Sequence, residues 1–437
     1  METIIMTVQL LLGLSILVGV HEWGHLAAAK AFGMRVEKYS IGFPPKIWGK
    51  KFGETEYSIG AIPLGGFVKI SGMIDESLDT ESLSEEPEPW EFRAKPAWQR
   101  LIVMLGGIIV NVITGIIIFI ALTYSQGERY LSKEELNKHG IVAYELGEKI
   151  GFKTGDKVIN INGQDFQKFR DLISPDVLLG TDGYYTVLRD GQEVRIDIPN
   201  NFLDDFSEGR EATPFIIPLA PFKVGTIPAG SDAIQGGLQE GDKFITVQGQ
   251  PIRFYDDLAT VLDQNKNGSV NAVVDRDGQQ HELNLIVNEN GKLKIGIQYD
   301  IDYSTNEFTF GESVSRGTNR AFSVVWVNIK AFGKIFSGDI SPRKSLSGPI
   351  GIAGLFGGDW DWVNFWNITG LLSMVLAFMN LLPIPALDGG HVMFLTWEMV
   401  TGRKPSDKFL ENAQKVGMVL ILGLMVFVIF NDISKFF

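Results

Sequence analysis

His21-Glu22-Trp23-Gly24-His25 interrupts a run that otherwise reads as membrane: residues 4–20 are almost continuously apolar, and Leu26-Ala27-Ala28-Ala29 carries the helical pattern onward. Two histidines four apart fall on one helical face. Both imidazoles can reach a single zinc ion there, with the intervening glutamate beside it as a general base. Ionisable groups inside a membrane span are costly, and their presence points to function. The chain has five histidines in 437 residues, and two of them stand here, which weighs against a chance match.

The 45% hydrophobic content looks globular, but the apolar residues concentrate toward the two ends. Residues 127–319 are soluble in character, with mixed charge and turn signals, so the chain reads as a membrane protein wrapped around a soluble middle. A net charge of -13 argues against a nucleic-acid partner. The absence of cysteine excludes disulfides and thiolate metal sites. Met1-Glu2-Thr3 lacks the basic start of a secretory signal, and the apolar run leads into the histidine pair rather than a cleavage site. It reads as a retained first span.

Residues 3–30, 101–124, 363–382 and 416–430 are the candidate spans, long enough to cross about 30 Å of hydrocarbon; the last is short at its strict apolar limits. Lys30, Arg35, Lys38, Lys46, Lys50 and Lys51 follow the first, and Lys95 and Arg100 precede the second. Arg403, Lys404, Lys408 and Lys415 lie between the third and fourth. The positive-inside rule makes these loops cytoplasmic and puts both termini and the soluble middle outside. Trp360, Trp362 and Trp366 then fit the outer interfacial belt. Residues 321–336, apolar but broken by Asn328, Lys330 and Lys334, read as an amphipathic helix on the outer surface rather than a fifth span.

Asn380-Leu381-Leu382-Pro383-Ile384-Pro385-Ala386-Leu387-Asp388-Gly389-Gly390-His391 closes the third span. Its prolines must break the helix and its glycines free the backbone beyond. Irregular backbone at membrane depth is tolerated only where protein buries it or it lines a cavity. Asp388 is the natural third ligand, because catalytic zinc usually keeps three protein ligands and an open water position. His391 competes but lies past the break. From outside, His21 is about 17 residues, or ~25 Å, into the first helix, and Asn380 is about as far along the third.

The soluble middle holds a repeat. Gly151-Phe152-Lys153-Thr154-Gly155-Asp156-Lys157-Val158-Ile159-Asn160-Ile161-Asn162-Gly163 returns at Gly237-Leu238-Gln239-Glu240-Gly241-Asp242-Lys243-Phe244-Ile245-Thr246-Val247-Gln248-Gly249. Arg189-Asp190-Gly191-Gln192 returns as Arg276-Asp277-Gly278-Gln279, one residue later in the second copy. The pattern resembles PDZ domains, which capture extended peptides by strand addition. One copy is expected over residues 127–218 and the other over 219–302, with Val224-Gly225-Thr226-Ile227 as a candidate peptide-binding edge. Both copies acting as spacers is an equally weighted alternative.

Tyr57-Ser58-Ile59-Gly60-Ala61-Ile62-Pro63-Leu64-Gly65-Gly66-Phe67-Val68-Lys69-Ile70 reads as two strands around Gly65-Gly66. An edge strand can satisfy peptide groups of another segment that are very costly to leave unpaired in lipid; a soluble cytoplasmic hairpin is the alternative. Asp75, Glu76, Asp79, Glu81, Glu85, Glu86, Glu88 and Glu91 then read as a solvated linker.

The first-span His-Glu-x-x-His together with Asn380-x-x-Pro383-x-Pro385-x-Leu387-Asp388-Gly389-Gly390 resembles the site-2 protease family of intramembrane zinc metalloproteases. The resemblance covers essentially the whole chain and closely matches the bacterial RseP-type members, which carry two PDZ domains between their second and third spans. It implies a polytopic helical membrane protein of about four spans, with a membrane-reentrant β-loop and two extracytoplasmic PDZ-like domains. It also implies Zn2+ on His21, His25 and Asp388, with Glu22 activating water. Substrate contacts are expected at Asn380, Pro383 and Pro385, and at Gly65, Gly66, Phe67 and Val68. The implied partners are the bilayer, single-span membrane substrates such as anti-sigma factors or remnant signal peptides, and peptide C-termini at the PDZ copies. The implied location is a bacterial inner membrane, with the active site near the cytoplasmic side. One departure is visible: the family often has Gly-Pro-x-x-Asn in the second span, where this chain has Gly107-Ile108-Ile109-Val110-Asn111.

Overall fold

The computed structural model describes residues 2–73, 87–200, 202, 214–228, 231–345 and 347–434. Asp75, Glu76, Asp79, Glu81, Glu85 and Glu86 of the expected linker lie outside them. The chain divides into two compact units, Met1–Glu128 with Asn306–Phe437, and Arg129–Thr305.

The first unit contains helices α1 (Glu2–Ala31), α2 (Ala97–Gln126), α3 (Phe310–Ser337), α4 (Pro349–Leu355), α5 (Trp362–Leu381), α6 (Asp388–Thr401) and α7 (Asp407–Ser434), with strands β1 (Val36–Phe52) and β2 (Thr55–Ile70). Among the described residues α1, α2, α5 and α7 are long and apolar enough to cross a membrane. The two prolines end α5 as expected. The sequence reading missed that a new helix, α6, begins at Asp388 itself.

The tightest approach in this unit is the crossing of α1 and α2. A Cβ on Gly24 would lie 2.3 Å from the Gly106 carbonyl oxygen, and one on Gly106 would lie 2.6 Å from that of Gly24. Only two glycines let the backbones touch this way. Helix α3 starts at a capping box of Thr309 and Glu312, well before the amphipathic stretch read from sequence. It packs Gly317 on Ile120 and buries Ala321 with Phe119 and Met374. Arg320 Nη2 donates to Asn367 Oδ1 at 2.6 Å.

The strands differ from the expected hairpin around Gly65-Gly66. Residues 36–41 form the inner strand, pairing on one side with residues 66–70 (Tyr39 with Val68) and on the other with residues 56–59 (Tyr39 with Tyr57). The remainder of β1 folds back so that Trp48 pairs with Ile59 and Phe52 with Thr55. The two arms proposed around Gly65-Gly66 thus flank a common neighbour instead of each other. The true hairpin turn is at Gly53, where φ is +63°. The neighbour was hidden because its lysines resemble a solvated basic loop. The 66–70 arm is left at the edge.

Helix α7 is held near both ends and little between. At one end Gly417 packs on the Pro385 carbonyl. At the other, buried Asp432 accepts from the backbone amides of Gly348 (2.8 Å), Ile350 (3.0 Å) and Gly351 (3.1 Å), as a carboxylate does at a helix N-terminus. Asn431 Nδ2 donates to the Arg343 carbonyl at 2.6 Å. Val419, Leu420, Leu422, Val426 and Phe430 between these points are exposed, as a lipid-facing surface requires.

The second unit has two hydrophobic cores built alike. Strands β3 (Lys157–Ile161), β4 (Tyr184–Arg189) and β5 (Gln192–Asp197) form an antiparallel meander. Strands β7 (Lys243–Val247), β9 (Ser269–Arg276) and β10 (Gln279–Ile286) repeat it, extended by β8 (Gln250–Pro251). Each meander turns at an Asp-Gly pair with positive φ at both residues, Asp190-Gly191 and Asp277-Gly278, the favoured two-residue hairpin chemistry. In each copy a buried aspartate is clamped by the arginine of that hairpin. Arg189 Nε and Nη2 donate to Asp156 at 2.8 and 2.7 Å; Arg276 Nε and Nη2 donate to Asp242 at 2.7 and 2.8 Å. Each arginine also donates to a backbone carbonyl, of Gly151 and Gly237 respectively.

The anticipated peptide edge at residues 224–227 is occupied by the chain itself. Strand β6 (Phe222–Val224) pairs with β11 (Ile297–Tyr299) on one side. On its other side Val224 N donates to Asp242 O and Gly241 N to Val224 O. Among the described residues β11 has no second strand neighbour, so its outer side is one edge of this copy open to an added strand.

Asp242 is 0% exposed, so Arg276→Met leaves a buried carboxylate without its counter-charge, a cost of about 3–5 kcal/mol. The expected result is faster amide hydrogen exchange in β7 and β9, with β3 and β4 unchanged. Unaltered protection in β7 and β9 would contradict the clamp.

Candidate metal centre

Helix α1 carries His21, Glu22 and His25, and the turn after α5 delivers Asp388 as the first residue of α6. The turn is closed by backbone bonds from Ile384 N to Leu382 O and from Leu387 N to Ile384 O, with Ala386 at φ +79°. It brings Asp388 Oδ2 to 3.1 Å from His21 Nε2 and 3.3 Å from His25 Nε2. The two imidazole Nε2 atoms are 3.3 Å apart. Bonds of about 2.0–2.1 Å to a tetrahedral zinc put ligand atoms roughly 3.3 Å apart, so this triangle has the dimensions of one face of such a site. Asp388 Oδ2 is buried with no hydrogen-bond partner, an arrangement a cation relieves. Within the described residues these three form the group able to hold a metal; His391 lines the same cavity but is not among them.

Both histidines are set by their other ring nitrogen. His25 Nδ1 is 2.8 Å from the Val103 carbonyl, which can only accept, so the proton resides on Nδ1 and Nε2 keeps its lone pair. His21 Nδ1 is 3.2 Å from the Asn111 carboxamide, whose Oδ1 has no other partner. Turning that oxygen to an Nδ1 proton satisfies both groups and frees His21 Nε2. Asn111 is fully buried, its own carbonyl accepts from Ser373 Oγ at 2.8 Å, and α1, α2 and α5 are joined through it.

Helix α2 also decides how closely the histidines stand. A Cβ on Gly107 would lie 2.5 Å from His25 Nε2 and 2.6 Å from His21 Cε1. The missing proline of the second-span pattern leaves α2 an uninterrupted helix, with Gly107 and Asn111 still one turn apart on the histidine side. The site role of these two residues was legible only through the second-span motif, from which this chain departs at the proline.

The cavity around this cluster has a volume of about 570 Å³. Gly65, Gly66, Phe67 and Val68 line it, as do Asn380 and Glu22, whereas Pro383 and Pro385 are not among its lining residues; they shape the turn behind Asp388. Asn380 Nδ2 is 3.4 Å from His21 Nε2. The Val68 backbone amide hydrogen-bonds to the Glu22 carboxylate, tying the edge arm to the candidate base. Phe43, Pro44 and Gln414 also line the cavity, and the sequence reading missed all three. For Phe43 the signal was the alternation Tyr39, Ile41, Phe43; for Gln414 it was a polar residue near the start of a lipid-facing helix.

A sequence model of peptidase family M50 matches residues 9–424. The chain is similar over nearly its full length to curated bacterial proteins. It is 29% identical to the regulator of sigma E protease of Haemophilus influenzae over 97% of this chain and 98% of that one. It is 29% identical to a putative zinc metalloprotease of Vibrio cholerae over 98% of each chain, and 28% identical to the regulator of sigma-E protease RseP of Escherichia coli over 97% of each. A family match that begins in the first membrane helix and ends in the last leaves one assignment: this chain belongs to peptidase family M50, as a membrane-embedded zinc metalloprotease.

Proposed function

We propose that His21 Nε2, His25 Nε2 and Asp388 Oδ2 are the zinc ligands and that Glu22 is the general base of peptide-bond hydrolysis within or beside a substrate's transmembrane segment. The observation that carries this reading is the triangle of three ligand atoms, drawn from α1 and α6, with Glu22 on the same cavity. Bound zinc supplies the electrophile that polarises the scissile carbonyl and acidifies the attacking water. Glu22 takes the proton from that water as its oxygen bonds to the carbonyl carbon, then returns it to the leaving nitrogen as the C–N bond breaks. The Val68 amide holds Glu22 in place, and Asn380 positions the substrate or its developing oxyanion.

The 66–70 arm acts as a reentrant edge that pairs with unwound substrate. Support comes from its place at the sheet edge and at the cavity wall. The two copies in residues 127–302 are PDZ-like domains outside the membrane that restrict which substrates enter; support comes from their duplicated meanders and the unpaired side of β11. The basic loops flanking α1, α2 and α7 favour a cytoplasmic active-site face in a bacterial inner membrane. The relatives named as sigma-E regulators favour single-span substrates such as anti-sigma factors, with remnant signal peptides as a second source.

Glu22→Gln is expected to retain zinc while losing about 10²–10⁴-fold in turnover, measured by metal analysis alongside cleavage of a single-span substrate. Metal loss in that variant would make Glu22 a ligand or a structural group instead. Asp388→Ala is expected to lower zinc occupancy, because two histidines alone make an incomplete site.

Val68→Pro removes a backbone donor and disturbs the edge arm, so turnover should fall at unchanged zinc content. The fall should be greatest for Leu-rich, stably helical spans, which need most help to unwind. Equal loss on helix-stable and helix-unstable substrates would assign the defect to a displaced Glu22 and defeat the unwinding role. Replacing residues 127–302 by a short linker should preserve cleavage of a trimmed substrate and relax discrimination against large outer domains. A folded, zinc-loaded deletion that cleaves no trimmed substrate would overturn the filter.

A further inference from the structure

Gln414 reaches the cavity from α7, the helix least engaged with the rest of its unit. It is 4% exposed and lines the cavity, yet among the described residues its carboxamide has no hydrogen-bond partner. Its placement is not loose. Gly417, three residues on along the same helix face, would carry a Cβ 1.6 Å from the Pro385 carbonyl oxygen. Helix α7 therefore lies directly on the turn that presents Asp388, and Gln414 is held beside the candidate ligands. Its polar end is not sealed inside protein; it opens on the cavity, where a bound segment can pair with it.

The chemistry of the missing partner follows from what the cavity must hold. An extended substrate segment has two rows of backbone groups pointing to opposite sides, and a single edge arm satisfies one of them. The other row remains unpaired in a water-poor site. A carboxamide offers an acceptor and two donors, the complement of one peptide unit's N–H and C=O.

We propose that Gln414 is a substrate-positioning residue whose carboxamide pairs with a non-scissile peptide group of the unwound substrate, on the row the 66–70 arm does not reach. The proposal rests on the hydrolytic reading above. It makes α7 part of the binding site and makes recognition there a matter of main chain, independent of substrate side chains.

The test uses the full zinc-loaded chain in detergent and synthetic transmembrane peptides in which single non-scissile amides near the cut are replaced by esters. Gln414→Leu should lower kcat/KM about tenfold on the all-amide peptide, the scale of one hydrogen bond, at unchanged zinc content. At one ester position the wild type should fall to the variant's level, so that the difference between them vanishes. Gln414→Met keeps the length of the side chain but removes donors and acceptor alike. It should show the same loss, and it serves if leucine impairs folding. Variants within twofold of wild type, or esters that depress wild type and variants equally at every position, would overturn the assignment. A wild-type rate insensitive to Glu22→Gln would instead sink the hydrolytic reading itself.

Discussion

A polar group at membrane depth must find a partner inside the protein, and the membrane unit is arranged around that demand. Three imidazoles, two carboxylates and three carboxamides line one cavity. Those of the first helix are oriented by a backbone group or a neighbouring side chain: Val103 O for His25, Asn111 for His21, and Val68 N for Glu22. The glycines at the α1–α2 crossing belong to the same logic. Without side chains at Gly106 and Gly107, α2 comes close enough to supply these partners and to leave room for the rings.

The histidine motif was legible because a polar pentad in an apolar helix has few other meanings, and the proline-rich turn because helix breakage in lipid must serve a cavity. Their union is a tertiary fact. No periodicity relates His21 to Asp388, and only the complementarity of an incomplete ligand set linked them before the structure brought their atoms within 3.1 Å. The β-element was half read. Residues 57–70 have strand composition, but the partner strand carries lysines that local propensity assigns to a loop. Register between its arms is set by long-range pairing that composition does not encode. Asn111 and Gln414 were harder still, since a lone amide in an apolar helix does not reveal which way it faces.

The duplicated middle was legible for the opposite reason. Its signals are local turns, and the same residues recur in the same roles: an aspartate clamped by an arginine, an Asp-Gly hairpin, a glycine carbonyl receiving the arginine's second nitrogen. The sequence pattern did not show which strand edge each copy leaves open. β11 covers the edge that the motif had suggested, because the last strand of the copy closes back on the first.

The way α7 is fastened has an evolutionary consequence. Between its two anchoring points the helix shows the lipid an uninterrupted apolar surface, so exchange among leucine, isoleucine, valine and phenylalanine there meets almost no selection beyond hydropathy. Gly417, Asn431 and Asp432 are under a different rule, because each fits a backbone site of fixed shape. The final helix should therefore drift quickly along its middle and hardly at all at its fastenings. In a diverging lineage, the spacing between those fastenings would outlast the residues that fill it.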